Sequence, residues 1–354
     1  MLSNLQEKIL NAEGPVIFVE ASAAAGKTRV LVEKIRQSVE KKKRVVAFTF
    51  TNMAAGEIKS RLNLTNSDDL FIGTIHSYCA SLLLKKGIKE ALNAIKKENF
   101  DDLFEIISTH PEAIEPVDIV ICDEAQDSNV LQFKFIFDII HAPEYFICYD
   151  KKQCIYRWAG SCPELLDEYR WKYHGVAYEM NENYRNAKNI LDFSKRIILP
   201  TGLEDNSISM RKLPVGLVKE EQFSEDIIIE SINASKQYKK WAFLARTNAQ
   251  VDQICYILKR NKIPYDTFKQ GDLTKEELSK KMEEDSVKVL TIHSSKGLEW
   301  DYVGVYGAKF YNEEEKCISY VAATRARDGL LWLTAKRKVK PKSRTKEKVY
   351  DWSF

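Results

Sequence analysis

Short apolar runs alternate with longer amphipathic stretches through the first half of this chain. Residues 15–20, 44–49, 70–74, 118–122 and 145–149 are brief and mostly apolar, as expected of strands buried on both faces. Between the first two, residues 27–41 place Val30, Leu31, Ile35 and Val39 on one side of a helix, and 53–62 predicts a second helix. The alternation returns later, with strands expected at 241–245, 287–291, 302–306 and 330–334. Strands interleaved with helices predict parallel α/β sheets. Two such domains are expected, 1–170 and 171–354, joined between Gly160 and Met180. A short helical insertion at 82–116 interrupts the first domain, and 200–214 reads as a loop.

Bulk composition narrows the partners. The 354 residues suit two domains, and 44% apolar residues suffice for two cores. The formal net charge is only +3, so nucleic-acid contact must come from local basic surface rather than a global field. One basic stretch is the tail 336–348, with eight Lys or Arg and one Glu, able to lie free in solvent or to touch phosphate. The seven cysteines, at 79, 122, 148, 154, 162, 255 and 317, show no CxxC pair and no zinc spacing, which implies a reducing, cytoplasmic setting. The first residues lack a signal-peptide pattern, and no apolar run is long enough to cross a bilayer, so no membrane contact is expected.

The chemistry is concentrated in two places. Asp123-Glu124-Ala125-Gln126-Asp127 directly follows the apolar run 117–122, which puts adjacent carboxylates at the tip of a buried strand. Upstream, the strand ending at Glu20 runs into Ala21-Ser22-Ala23-Ala24-Ala25-Gly26-Lys27-Thr28-Arg29 and then a helix. Strand, Gly-Lys-Thr and helix together make a phosphate loop, whose backbone N–H groups and helix start hold phosphates. Lys27 would reach the terminal phosphates, and Thr28 and Asp123 would ligate Mg²⁺. Glu124 would orient and deprotonate the attacking water. Ala21 stands where the first glycine of the motif is usual, which is tolerable only at negative φ.

With these motifs in order, the chain resembles a superfamily 1 DNA helicase of the UvrD/Rep/PcrA type, with a phosphate loop closer to the AddA/RecB variant. The resemblance runs from residue 4 to residue 327. It implies two tandem RecA-like P-loop NTPase domains with ATP in the cleft between them. Asn4-Leu5-Gln6 resembles the adenine-reading Q motif, with Gln6 on the base. Thr49-Phe50-Thr51-Asn52 and Gly73-Thr74-Ile75-His76-Ser77 resemble the motifs that place Phe50, Asn52 and His76 on DNA. Gln153-Cys154-Ile155-Tyr156-Arg157-Trp158 resembles motif III, where Gln153 senses the γ-phosphate and Trp158 stacks on a base. Asn183-Tyr184-Arg185 resembles motif IV, with Tyr184 on adenine and Arg185 on γ-phosphate. In the stretch Thr291 to Glu299, similar to motif V, Thr291 and His293 would face DNA and Glu299 the ribose. Tyr320 to Ala326 resembles motif VI, making Arg325 the second arginine finger.

Three departures matter. Motif III has Ala159 where an arginine usually follows its tryptophan, with Arg157 nearby as a substitute, and Tyr149-Asp150 replaces the usual Gly-Asp opening. The large insertions of the family are reduced: 46 residues separate His76 from Asp123, and 44 separate Arg246 from Thr291. The stretch 336–348, where the family has a strand-separating hairpin, has no aromatic tip.

The expected activity is an ATP-dependent, Mg²⁺-dependent helicase or translocase moving 3′-to-5′ on single-stranded DNA. The alternative is a nucleotide- and DNA-sensing ATPase subunit of a larger assembly, as in Gabija-like antiphage systems that pair a UvrD-like protein with a nuclease.

Overall fold

The computed structural model describes residues 2–335, apart from 213–214, 236, 269–272 and 274. The basic stretch 336–348 lies outside the described residues. The first sheet contains β1 (Val16–Ala21), β2 (Val45–Phe48), β3 (Leu70–Gly73), β4 (Ile119–Cys122), β5 (Glu144–Tyr149) and β6 (Val176–Met180). Its spatial order is β3-β2-β4-β5-β1-β6, with every pairing parallel. Two short strands, β7 (Glu182–Asn183) and β8 (Ile208–Ser209), pair with each other. The second sheet contains β9 (Leu217–Gln222), β10 (Trp241–Ala245), β11 (Tyr265–Asp266), β12 (Val287–Thr291), β13 (Trp300–Tyr306) and β14 (Ala326–Thr334). It is also wholly parallel, in the order β11-β12-β10-β13-β14-β9.

Alternation along the strands builds a core on each face of each sheet. In β1, Val16 and Phe18 join the core that holds Phe48, Phe133 and Phe137, while Ile17 and Val19 join Val30, Leu31 and Ile35 of the helix Lys27–Glu40 on the other face. The second sheet divides likewise, with Ala242 and Leu244 on one side and Phe243 and Val289 on the other.

Two strands escape the hydrophobic pattern. β6 is an edge strand with Val176, Ala177 and Glu179 exposed, and it pairs with β1 through Ile17–Val176 to Ala21–Met180. The first sheet therefore ends at Met180, and 171–180, expected in the second domain, completes the first. β9, at an edge of the second sheet, is mostly exposed and carries Lys219, Glu220 and Glu221. The region 200–214, read as a loop, contains β8 and the turn Leu199–Thr201. The insertion is helical as expected, with helices Lys89–Lys96 and Asp102–Ser108 packed beside Ile75–Lys85. Among the described residues no helix is long and apolar enough to cross a membrane.

Candidate functional site

Open parallel sheets bind ligands outside the carboxyl ends of their strands, and here the loops after β1, β2, β4 and β5 converge on one cleft of about 570 Å³. Ala21 closes β1 at negative φ, so no glycine is needed there. The strain falls three residues later, where Ala24 takes φ 59°, and Gly26 takes φ 84° before the helix Lys27–Glu40. A β-carbon on Gly26 would meet Gln6 Nε2 at 2.5 Å. Gln6 itself is buried beneath the loop: Nε2 donates to the Ala25 carbonyl at 2.9 Å, and Oε1 accepts from the Ser3 N–H at 3.1 Å. One amino hydrogen and one lone pair of that amide remain for a base. The second domain grips the same loop, since Asn183 Nδ2 donates to the Ala23 carbonyl at 2.9 Å and the Tyr184 N–H to that of Ala24 at 3.2 Å. Tyr184 is partly exposed and lines the cleft with Thr28 and Arg29.

Lys27 Nζ lies 2.8 Å from Glu124 and is buried with Asp123. Burial pushes the Asp123 carboxyl above its ordinary value, although Lys27 opposes the rise. Burial would raise Glu124 too, but Lys27 and Lys296 outweigh it and hold that carboxyl below the usual range. Glu124, Asp123 and Thr28 all border the same cavity. Glu124 sits at φ 52°, and Gln126 pins it by donating to its carboxylate while accepting from the Asp150 N–H at 2.9 Å.

Cations close the cleft from the second domain. Arg325 is almost fully buried and donates to the Val321 carbonyl at 3.0 Å, the Leu298 carbonyl at 3.3 Å and Gln153 Oε1 at 3.1 Å. Gln153 in turn donates to Asp150 Oδ2 at 2.7 Å. Arg185 pairs with Glu299 and donates to the Thr324 carbonyl at 3.2 Å. Burial, then the neighbouring Arg185, lower the affinity of Arg325 for its proton. Two facing guanidiniums beside a phosphate loop fit a polyanion such as ATP, which would relieve their repulsion.

An aromatic face adjoins this cleft. Phe50 and Tyr156 stack with ring centres 4.8 Å apart. Trp158, 72% exposed, lies 6.3 Å from Tyr156 and 6.4 Å from His293. His293 Nε2 is 3.2 Å from the Ile155 carbonyl. Asn52 is exposed at the start of the helix Asn52–Leu62, which Thr51 caps. Thr291 bonds Ser294 Oγ at 2.9 Å and shapes the turn that presents His293. His76 borders the Phe50 side but faces the insertion, 3.2 Å from Asp101 and packed on Phe104.

What joins the two faces is the connection from β12 to β13. Parallel strands usually need a crossover of a dozen or more residues, yet here residues 292–299 suffice. They run from His293 beside the aromatics, through Lys296, to Glu299 beside Arg185. Lys296 Nζ reaches back into the first domain, to Asp127, to the Gln153 carbonyl at 2.9 Å and to Glu124 at 3.9 Å. Neither Lys296 nor Tyr156 was singled out from the sequence, although both lie inside motifs that were.

The UvrD/REP helicase N-terminal domain matches residues 2–115 and 112–174, and the UvrD-like helicase C-terminal domain matches 178–282 and 268–338. The chain belongs to the UvrD/Rep helicase family. Its relatives include the "Probable DNA helicase II homolog" of Mycoplasma capricolum, 26% identical over 363 residues, covering 73% of this chain and 50% of the relative. Staphylococcus epidermidis PcrA is 23% identical over 367 residues, covering 75% and 50%. The "Probable DNA helicase" of Mycoplasma pneumoniae is 25% identical over 298 residues, covering 76% and 48%. This chain thus spans about half the length of the curated relatives it matches.

One expectation about this UvrD-like site fails. Arg157 does not replace the arginine absent at Ala159, because its guanidinium is held by Glu164 at 2.6 Å and Glu313 at 3.0 Å, outside the ATP cleft. Glu313 starts the helix Glu313–Ala323 of the second domain, so Arg157 ties the domains together at the rim.

Proposed function

We propose that this chain is an ATP-driven motor that moves 3′-to-5′ along single-stranded DNA. Thr28 and Asp123 would hold Mg²⁺, which neutralises charge on the ATP phosphates when bound. Lys27, Arg185 and Arg325 surround the phosphates with positive charge, and Glu124 takes the proton of the attacking water. Tyr184 and Gln6 take the adenine, and Glu299 the ribose. Phe50, Tyr156, Trp158 and His293 take the bases, with stacking worth roughly 1–3 kcal/mol per base. The observation that carries the proposal is the short 292–299 connection, whose His293 sits among the aromatics and whose Lys296 touches the pocket of Glu124. Strand binding at one end is felt by the catalytic carboxylate at the other, which couples hydrolysis to domain closure. The reduced insertions favour translocation over duplex unwinding.

Phosphate release with and without oligonucleotide tests the ATPase, on the wild type and Lys27→Ala. Release of streptavidin from oligonucleotides biotinylated at either end tests direction. Stimulation by DNA, loss in Lys27→Ala and clearance of the 5′ end alone are expected. Absence of stimulation, or an unaffected Lys27→Ala, would overturn the reading.

A further inference from the structure

A cluster of charged groups bridges the two domains next to the ATP cleft, centred on Asp205, which is not part of the cleft lining. The helix Lys188–Ile198 ends in the turn Leu199–Thr201, and Gly202, at φ 80°, redirects the chain into the loop that carries Asp205. Both oxygens of this partly buried carboxylate are engaged. Oδ1 accepts from the Ser207 N–H at 3.0 Å and lies 3.5 Å from Ser22 Oγ of the phosphate loop. Oδ2 accepts from the hydroxyl of the fully buried Tyr320 at 2.9 Å. Lys152 completes the cluster from the first domain: its buried Nζ is 3.2 Å from Asp150 and 3.6 Å from Glu20. Burial works against that ammonium, but Asp150, Glu20 and then Asp205 outweigh it and hold the group above its ordinary value.

Both ends of the cluster lead to Arg325. Tyr320 lies in the last turn of the helix Glu313–Ala323, where its carbonyl accepts from the Thr324 N–H at 3.0 Å and the next carbonyl, that of Val321, holds Arg325. This helix packs on the turn Lys151–Gln153 of the first domain. On that side Asp150 takes Lys152 on one oxygen and Gln153 on the other, and Gln153 accepts from Arg325. A buried hydroxyl is costly without its acceptor, so Asp205 fixes Tyr320 and with it the end of the helix. We propose that Asp205 is a positioning residue that seats this helix end against the first domain and so aims Arg325 at the ATP phosphates. The proposal rests on Arg325 acting as an arginine finger, as in the function proposed above. A finger stabilises charge in the transition state, so the loss of Asp205 should fall on kcat and spare KM.

Steady-state ATP hydrolysis at saturating single-stranded DNA, on the full chain, tests it. Asp205→Ala should lower kcat roughly tenfold, the rate equivalent of one lost hydrogen bond, and leave KM for ATP within about twofold. Tyr320→Phe removes a single oxygen and should do the same; it carries the test alone if Asp205→Ala does not fold. The double variant should be no slower than either single one, because both cut the same bond, whereas two independent packing losses would multiply. Ser207→Ala keeps the backbone N–H from which Asp205 accepts, so it should leave both constants unchanged. A wild-type kcat in Asp205→Ala or Tyr320→Phe, multiplied losses in the double variant, or an equal loss in Ser207→Ala would overturn the proposal. A wild type that does not hydrolyse ATP is a different result: it would remove the arginine-finger reading itself, and this proposal with it.

Discussion

Gln153 accepts a hydrogen bond from the guanidinium of Arg325 at 3.1 Å, across the cleft between the two domains. The contact joins the loop after β5 to the residue that precedes β14, so the first domain detects whether the second has brought its arginine home. Arg325→Ala should lower ATP turnover by roughly 10³-fold, the scale of a lost arginine finger. Arg325→Lys should not rescue it, because one ammonium cannot span Val321, Leu298 and Gln153 together. Steady-state phosphate release at saturating DNA measures both. Turnover close to wild type in Arg325→Ala would remove Arg325 from the catalytic set.

Lys296 is the counter-charge of the buried Asp127 and of the partly buried Glu124. Lys296→Met should cost about 3–5 kcal/mol of stability, because Asp127 is left as an uncompensated buried charge. Adding Asp127→Asn should return part of that loss, the signature of coupled residues. Urea unfolding of the single and double variants checks the cycle, and additive losses would contradict it. DNA stimulation of the ATPase should disappear in Lys296→Met.

The phosphate loop contains an alanine in a glycine's conformation. At φ 59°, Ala24 crowds its own β-carbon, a cost of about 1–2 kcal/mol. Ala24→Gly should relieve it and stabilise the protein by about 1 kcal/mol after allowing for glycine's freer unfolded chain. Thermal unfolding gives the sign directly; a lower melting temperature would mean that the loop is not held as described.

Arg157 bridges Glu164 and Glu313 at a half-exposed rim. Such pairs contribute about 0–1 kcal/mol. Arg157→Ala should therefore change stability by no more than that and leave DNA-stimulated turnover intact. A collapse of turnover would restore Arg157 as the substitute for the arginine absent at Ala159.

Most of this site could be read from the chain alone, because phosphate chemistry demands fixed spacings: Gly26-Lys27-Thr28 after a strand, and Asp123-Glu124 at the tip of another. The buried strands were equally legible, since burial on both faces leaves a continuous apolar run. β6 and β9 were not, because an edge strand is half solvated and its Glu179 or Lys219 looks like loop. Arg157 shows a different limit. Sequence proximity placed it near the catalytic motif, but the direction of its side chain is set by Glu313, more than 150 positions away. Tyr156 and Lys296 were hidden for the same reason, as their partners come from Phe50 and Asp127 in the other strand connections.

The second sheet faces the cleft with the starts of β13 and β14 and the aromatic face with the ends of β10 and β12. β13 has seven residues, so at roughly 3.3 Å each its two ends stand about 20 Å apart. A hydrogen-bonded parallel sheet does not flex over that length as a loop would. In the proposed motor it would act as a stiff lever pivoting at the domain junction, so that a small tilt at the cleft end becomes a proportional sweep at the far end. For the proposed motor, the stride would then be set by strand length, a property of the backbone rather than of any one side chain.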